Sequence, residues 1–418
     1  MQASFRGFHL LLALLLLSPL SLAQSTHRFS GFATLGVVSN DNPDLAFRRY
    51  IAQDDGSYGG DLAWKTDSLV GVQWQSRWSD QVDTTVQLVA KERLDNALGD
   101  TVEWAFVRYN PQEGLDLRLG RMGIDIFMLS DHRQVGYTYP WVRPQHDYYS
   151  ILSLESFDGI DLSKRFNINN STLNIKAFYG RSDASFPTGL NSDNKLNVDF
   201  EPSGISFELE SGNWIGRYSF ASVQIQNNAL NPITAAWEAI SPYWPGASDI
   251  AHYISTQGTR FRYSAFGLSY DNNDWWLKTE ISQFTSGTPL APESNQGFIS
   301  IGRRLGAFTP FVLGGYVRPD RATETLSVPN GFPSPLAEQL ALLTYYTENS
   351  LNGGRNHQSS VGVGLRWDFA PKMALSMQWE QFRVERDGTN LWLKTDPNKP
   401  RAGSYNPRVT SLAMDILF

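Results

Sequence analysis

The chain has 418 residues, a formal net charge of −7, 13 Trp, 17 Tyr, 24 Phe, 34 Gly and no Cys. The acidic balance argues against nucleic acid as a partner, because a phosphate-binding surface needs a basic excess. Without cysteine there is no disulfide scaffold, no thiolate metal site and no thiol to acylate.

Residues 1–23 have the pattern of a secretory leader: Arg6 in a short basic region, an apolar run from Leu10 to Leu17, and Ser21 and Ala23 placed as the small residues of a cleavage site. The mature chain is therefore expected to span residues 24–418 as one domain. No later run reaches the roughly 20 apolar residues that a transmembrane helix requires. Aromatic and glycine enrichment without long apolar runs instead suits a β-barrel with aromatic girdles and a wet interior.

Segments of about ten residues alternate apolar and polar throughout, separated by connections that are short and long in turn. The first, Arg28 to Ser39, precedes a polar stretch at 40–60. The second sends Val70, Val72 and Trp74 one way and Gly71, Gln73, Gln75 and Arg77 the other. The third opposes Val82, Thr84, Val86 and Leu88 to Thr85, Gln87 and Lys91. The fourth groups Val102, Trp104 and Phe106 on an apolar face. The fifth sets Leu115, Leu117 and Leu119 against Asp116, Arg118 and Gly120. A connection at about 121–154 follows. Strands six and seven flank a turn at Asn167 to Asn170, and Ser211-Gly212-Asn213 joins eight to nine, whose inward face the pattern leaves open. After a long loop at 226–258, strands ten and eleven turn at Asp271 to Asp274, and twelve and thirteen near Gly306. A loop at 318–356 leads to the fourteenth strand, with Val361, Val363, Leu365 and Trp367 against Gly362, Gly364 and Arg366. The fifteenth alternates cleanly to Glu380 and then changes phase near Gln381, which predicts a bulge. A last loop at 386–406 precedes strand sixteen, in which Leu412, Met414, Ile416 and Phe418 face opposite to Ser411, Ala413 and Asp415.

The expectation is an all-β fold, a transmembrane antiparallel β-barrel of about 16 strands with its ends on the short-turn side. Ten residues at about 3.3 Å each, tilted about 45°, rise roughly 23 Å, close to the lipid-facing band of such barrels. An Arg on the lipid face near the midplane costs about 2–4 kcal/mol, so Arg77, Arg118 and Arg366 are expected in the lumen. A barrel this wide is too large for its own side chains to fill, and water occupies the remainder. A soluble β-sandwich or a barrel that only anchors adhesive loops are the alternatives.

Three segments, Gly31-Phe32-Ala33-Thr34-Leu35-Gly36, Leu117-Arg118-Leu119-Gly120-Arg121 and Phe157-Asp158-Gly159-Ile160-Asp161, together with the terminal alternation ending at Phe418, resemble those of Gram-negative trimeric outer-membrane porins. The resemblance runs from the leader to Phe418. It implies export to the outer membrane, contact with its lipids and lipopolysaccharide, and homotrimerisation. Phe418, Ile416 and Met414 would be read by the barrel assembly machinery. It also implies that the third loop folds inward to narrow a channel for small hydrophilic solutes or ions, with no cofactor. In that picture Asp125, Asp131 and Asp147, with Arg133 and Arg143 among them, form the constriction. Arg77, Lys91, Arg118 and Arg366 form a basic wall opposite. The simpler reading is that these are solvated lumen charges without selectivity.

Two stretches depart from a general porin. The third loop holds Tyr137, Tyr148, Tyr149 and the run Tyr139-Pro140-Trp141-Val142-Arg143-Pro144, which is expected to restrict the opening and favours a substrate-specific channel as the alternative. The seventh loop contains Ser334-Pro335-Leu336-Ala337-Glu338, the start of a lid helix with Ser334 as its cap. An outer-membrane hydrolase is disfavoured, since the histidines fall in loops or at strand ends outside any Gly-x-Ser-x-Gly motif. The pairs Asp131-His132 and His146-Asp147 could hold a divalent ion, but isolated surface histidines are the commoner explanation.

Overall fold

The computed structural model describes residues 26–94, 98–151, 154–187, 195–396 and 403–418. The expected leader lies outside these. Sixteen long strands follow one another: β1 Thr26–Asn40, β2 Leu69–Arg77, β3 Val82–Lys91, β4 Val102–Gln112, β5 Leu115–Gly123, β6 Ser156–Ile168, β7 Ser171–Pro187, β8 Lys195–Ser211, β9 Trp214–Ile225, β10 Arg260–Asp271, β11 Trp275–Ser286, β12 Ser294–Arg303, β13 Phe308–Pro319, β14 Asn356–Ala370, β15 Met373–Thr389 and β16 Arg408–Leu417. Each pairs antiparallel with its neighbour in sequence. The lower half of β1 pairs with β2, from Thr26↔Arg77 to Thr34↔Leu69, and its upper half pairs with β16, from Phe32↔Leu417 to Asn40↔Val409. The sheet therefore closes on itself and has no free edge.

Side-chain alternation fixes which face meets lipid. Val70, Leu119, Ile160, Ile299, Val361 and Met377 stand exposed on the outside, whereas Arg118, Lys176, Glu280 and Arg366 point inward. At one end the connections are tight, and six of the seven place a residue at positive φ: Gly114, Asn169, Gly212, Asn273, Gly306 and Lys372. Aromatic pairs ring the barrel there, with Trp214 and Tyr270 4.6 Å apart and Phe308 stacked on Trp367 at 5.9 Å. At that end Gly31 N donates to Phe418 O at 2.8 Å, and Phe418 N donates to Gly31 O at 2.9 Å.

The structure departs from the sequence pattern at three places, and it decides the face of β9 that the pattern left open. Phe106 is buried inside the barrel rather than on the lipid face, because one residue is bulged between the Gln87↔Trp104 and Leu88↔Val102 pairs and inverts the apolar alternation of β4. The pairing of β15 runs without a shift from Gln378↔Gly364 through Val384↔Gln358, so there is no bulge at Gln381. What changes there is the chemistry of each face: Phe382 and Val384 point inward to an apolar core, and Gln381 and Arg383 point outward. In β9, Tyr218 faces out and Arg217, Ser219 and Ala221 face in. Finally, Pro333 occupies the cap position of the seventh-loop helix, and Ser334 Oγ instead bonds Glu338 Oε1 at 3.2 Å.

The long connections carry the remaining structure. Helices α1 (Asn231–Ile240) and α2 (Gly246–Tyr253) in the fifth loop pack with α3 (Ser334–Gly353) in the seventh around Trp237, Ala247, Ile254, Leu340 and Leu351. Trp237 Nε1 donates to Thr347 Oγ1 at 2.9 Å across that core. Leu45–Phe47 pairs with Trp392–Lys394, tying the first loop to the eighth.

Candidate functional site

The third loop, 124–155, enters the barrel and crosses it. Its first turn is anchored on Asp125, which takes a 2.7 Å ion pair from Arg217 and a 2.7 Å hydrogen bond from Ser206 Oγ. Ser219 Oγ donates to Ile126 O at 2.7 Å. Met128 N donates to Glu280 Oε2 at 3.0 Å, and the Tyr149 hydroxyl bonds the same carboxylate. Trp141 Nε1 donates to Ser300 Oγ at 2.9 Å, and Val142 N donates to Gln378 Oε1 at 3.1 Å. Arg366 donates to Tyr137 O at 3.0 Å and Tyr139 O at 2.7 Å. The loop thus touches successive strands from β8 to β16, and a continuous apolar core of Phe127, Tyr139, Trp141, Tyr148 and Tyr149 against Tyr263, Trp276, Phe298 and Phe311 fills that side of the lumen. Of the aromatics expected to line an opening, Tyr139, Trp141, Tyr148 and Tyr149 are between 0 and 5% exposed and fasten the loop to the wall, whereas Tyr137 is half-buried.

Beyond Trp141 the loop meets a buried charged clamp. Arg143 makes two hydrogen bonds to Asp67 of the first loop, at 3.0 and 2.7 Å, one to Glu380 at 2.9 Å and another to Ser411, while its guanidinium lies 4.7 Å over the Phe47 ring. All three charged side chains are 0–1% exposed. Next to them a single helical turn, His146–Tyr149, is capped by Gln145, whose Oε1 accepts from Tyr148 N at 3.1 Å. His146 Nε2 donates to Arg48 O at 2.9 Å, and Nδ1 accepts from Gln358 Nε2 at 3.1 Å. Burial, reinforced by the Arg143 charge, pushes His146 down to about 3, so the ring is neutral. Phe47, Phe382 and Trp392 enclose it with centroids 4.7, 5.4 and 5.8 Å away. Asp147 accepts from Gln145, Gln358 and Ser360, and burial still pushes its carboxyl up.

The opposite flank of the loop, toward β2–β7, stays wet. Asp131 is 62% exposed, and the inward Arg108, Asp83, Arg118 and Arg133 keep 44, 21, 19 and 14% of their side-chain surface. Lys176 Nζ stands among three carboxylates, 3.6 Å from Asp125, 3.7 Å from Asp131 and 4.0 Å from Asp161. Arg118 is bidentate on Asp161, with Nε 2.9 Å from Oδ1. Lys91 lies 2.5 Å from Glu155 and 3.3 Å from Glu103, and Arg133 lies 3.5 Å from Glu155. Although burial works to raise it, Lys91 and Arg133 hold the Glu155 carboxyl below its ordinary range.

The sequence-expected residues therefore separate. Asp131 and Arg118 border the wet side, linked through Lys176 and Asp161, and Arg133 borders it in a separate group with Glu155 and Lys91. Asp125 anchors the start of the loop, and Arg143 and Asp147 belong to the dry clamp. Lys91 is 4% exposed between its two glutamates. Arg366, bonded also to Asp368 at 2.8 Å, holds loop carbonyls. Arg77 is exposed at the turn end of β2, in register with Asp83. Both ring nitrogens of His146 are committed to hydrogen bonds, so it has no lone pair free for a metal; His132 is pushed down to about 4 by burial and by Lys278. Sequence reasoning passed over Lys176, Arg217, Asp67 and Glu380. The inward parity of Lys176, between Ile175 and Ala177, was a usable signal; nothing local marks Asp67 as the partner of a loop 76 residues on.

Against solved structures the likeness spans nearly the whole chain. An anion-selective porin from Comamonas acidovorans matches with TM-score 0.54 at 10% identity, covering 94% of this chain and 100% of that one. The fold is that of the porin barrel. The outer membrane channel DcaP of Acinetobacter baumannii matches with TM-score 0.52 at 10% identity over 95% and 99% of the two chains, and in-vitro folded OmpT of Vibrio cholerae, in a trimer form, with TM-score 0.50 at 8% identity over 94% and 99%. Neither a protein-family model nor a curated protein matches the sequence. At these identities the porin likeness is one of architecture.

Proposed function

We propose that this porin-fold chain is a passive, non-enzymatic channel through which small hydrophilic solutes or ions diffuse across the outer membrane of a Gram-negative cell. The observation that carries the reading is the asymmetry of the third loop, dry and clamped toward β8–β16, wet and charged toward β2–β7. Size selection follows from the bulk of the docked loop, and charge selection from the exposed Asp131 facing a wall that includes Arg108 and Arg118. Asp131, Arg133 and Arg118 are the constriction residues in this reading; Asp125, Arg143, Asp147, Lys91 and Arg366 keep the constriction in place; Arg77 acts at the turn-side mouth. Residues 1–23 are removed on export, Phe418, Ile416 and Met414 serve assembly, and the working unit is a homotrimer, as one of the similar structures is. Purified, folded protein inserted in a planar bilayer should give ohmic current steps; protein that inserts and passes no current ends the proposal.

A second reading, a channel specific for solutes with an apolar face, is favoured by the loop-side inner wall. There Phe186 and Phe200 pack 6.4 Å apart and Phe261 and Phe284 5.3 Å apart, all pointing inward. Phe261→Ser with Phe284→Ser should lower the flux of aromatic solutes and leave KCl conductance unchanged if that reading holds.

A further inference from the structure

On the loop side, α1 and α2 of the fifth loop and α3 of the seventh form a cap that packs around its own apolar core. In α3, Leu336, Leu340, Leu343, Thr347 and Leu351 turn toward that core, a spacing of three and four residues that sets them on one stripe of the helix. The opposite stripe, Glu338, Leu342, Tyr345 and Asn349, stands in solvent, with Leu342 and Tyr345 57 and 59% exposed. Tyr346, edge-on to Tyr345 at 5.7 Å, is exposed as well, and so are Tyr243 between α1 and α2 and Tyr253 at the end of α2.

The charge of the cap has one sign. Neither 226–258 nor 322–354 contains a Lys or Arg, although the chain holds 35 of them, whereas the two stretches carry Glu238, Asp249, Glu324, Glu338 and Glu348. Among the described residues none of these five carboxylates is in an ion pair. The arginines that flank the seventh-loop stretch are taken elsewhere, Arg321 3.7 Å from Glu293 and Arg355 2.9 Å from Asp387. Glu238 and Glu338 accept neutral hydroxyls, from Ser248 at 3.1 Å and from Ser334 at 3.2 Å. Carboxylates grouped without counter-ions on an exposed surface repel lipid phosphates and draw in and orient a cation.

We infer that the outer face of this cap docks a basic polypeptide, whose Lys or Arg side chains are taken by Glu338, Glu238 and Asp249 and stack on Tyr345 and its neighbours. Charge selects a cationic partner, and shape selects a polypeptide. The helix α3 has 20 residues and is therefore about 30 Å long, and its exposed stripe is a convex ridge, whereas small solutes are held in concave sites. Exposed apolar surface on the back of a packed helix marks an interaction face. Tyrosine gives broad, rigid contact at little cost in side-chain entropy, and its ring face attracts ammonium and guanidinium groups. The inference is independent of whether the lumen conducts.

The test uses the full-length protein in nanodiscs of zwitterionic lipid, with empty nanodiscs as the blank, and a fluorescent peptide of five Arg-Gly-Tyr-Gly repeats beside its Ser-for-Tyr and Glu-for-Arg forms. The native chain should bind the Arg/Tyr peptide about tenfold or more tighter than either of the others. Glu238→Gln with Asp249→Asn and Glu338→Gln should slow association by about tenfold and flatten its salt dependence. Leu342→Ser with Tyr345→Ser should instead speed dissociation by about tenfold and keep the salt dependence. All five side chains are exposed, so the helices should persist in both variants, and far-ultraviolet circular dichroism checks that they do. Equal binding of the Arg/Tyr peptide and either other form, or native rates in both variants, overturns the inference. So does competition by arginine amide as strong, molecule for molecule, as by the peptide, which would make the face a small-solute site. Pairing of peptide-free nanodiscs that Leu342→Ser with Tyr345→Ser abolishes would make it a contact between copies and overturn the inference too.

Discussion

Arg143 is the place where the loop can be released by one substitution. In Arg143→Ala the carboxylates of Asp67 and Glu380, both 0–1% exposed, lose their common cation and stay buried. Removing one member of a buried pair costs about 3–5 kcal/mol, against about 0.2–1 kcal/mol for an exposed pair such as Arg303–Asp274, whose side chains are 49 and 51% exposed. The loss falls on docking of the loop and leaves the barrel hydrogen bonds intact. It should therefore raise the undocked population by about a hundredfold to a few thousandfold. Hydrogen exchange of the amides of 141–150 should accelerate by the same factor, and single-channel recordings should show flicker to a higher conductance that is absent in the native channel and in Arg303→Gln. Neutralising all three members, Arg143→Met with Asp67→Asn and Glu380→Gln, should restore part of the protection, because neither carboxylate is then charged, while Arg49, 3.9 Å from Asp67 in the native chain, loses its ion pair. If Arg143→Ala exchanges and conducts like Arg303→Gln, the clamp does not hold the loop and the reasoning fails.

Three further outcomes follow from the same geometry. Asp131→Asn should move the reversal potential under a salt gradient toward anions and Arg108→Gln toward cations, whereas Arg143→Met with its two neutralised partners should leave ion preference where it was; identical reversal potentials throughout would remove these side chains from the ion path. His146 titrates near 3 when docked against 6.5 when free, so as pH falls from 6.5 the released loop gains a proton that the docked loop refuses. The His146 contribution to docking is thus full above pH 6.5 and falls by up to about 5 kcal/mol by pH 3; the exchange difference between native protein and His146→Asn should narrow steadily over that range, and a constant difference would contradict it. Gly136→Ala should destabilise docking by about 1–3 kcal/mol, because its Cβ would overlap Asp415 Oδ1 and lie 2.8 Å from Thr34 Oγ1, two atoms already joined by a 2.6 Å hydrogen bond; an unchanged exchange rate would show that the wall can yield.

The barrel was legible because alternation with period two is a local property. Val361 to Trp367 against Gly362 to Arg366 assigns both faces without reference to any other strand, and the turns at Asn169, Gly212 and Gly306 announce themselves by residues suited to positive φ. The pattern misled where inside and outside stopped differing in polarity. Phe106 packs inward beside the apolar lining that the third loop supplies, and Phe382 beside Phe47 and Trp392 of the first and eighth loops; a strand cannot display what will later be packed against it. The candidate site was legible only in composition. That the loop carries both charge signs and many aromatics is plain from 124–155; that Arg143 pairs with Asp67 and Glu380 while Asp131 remains in water depends on a path across the bore that no spacing encodes. Lys176 lay within reach of parity alone.

The anchors of the third loop have a consequence for the order of assembly. Arg143 reaches Ser411 across 268 residues of sequence, and Gly136 rests on the Thr34–Asp415 bond, whose partners are 381 residues apart. Contacts of such separation form late, after the intervening chain has been ordered. The loop therefore cannot seat on an unfinished cylinder: until β16 has zipped to β1 its berth is missing a side, and the aromatic face from Phe127 to Tyr149 stays available to proteases and chaperones. Seating of the loop marks the moment at which the wall is complete.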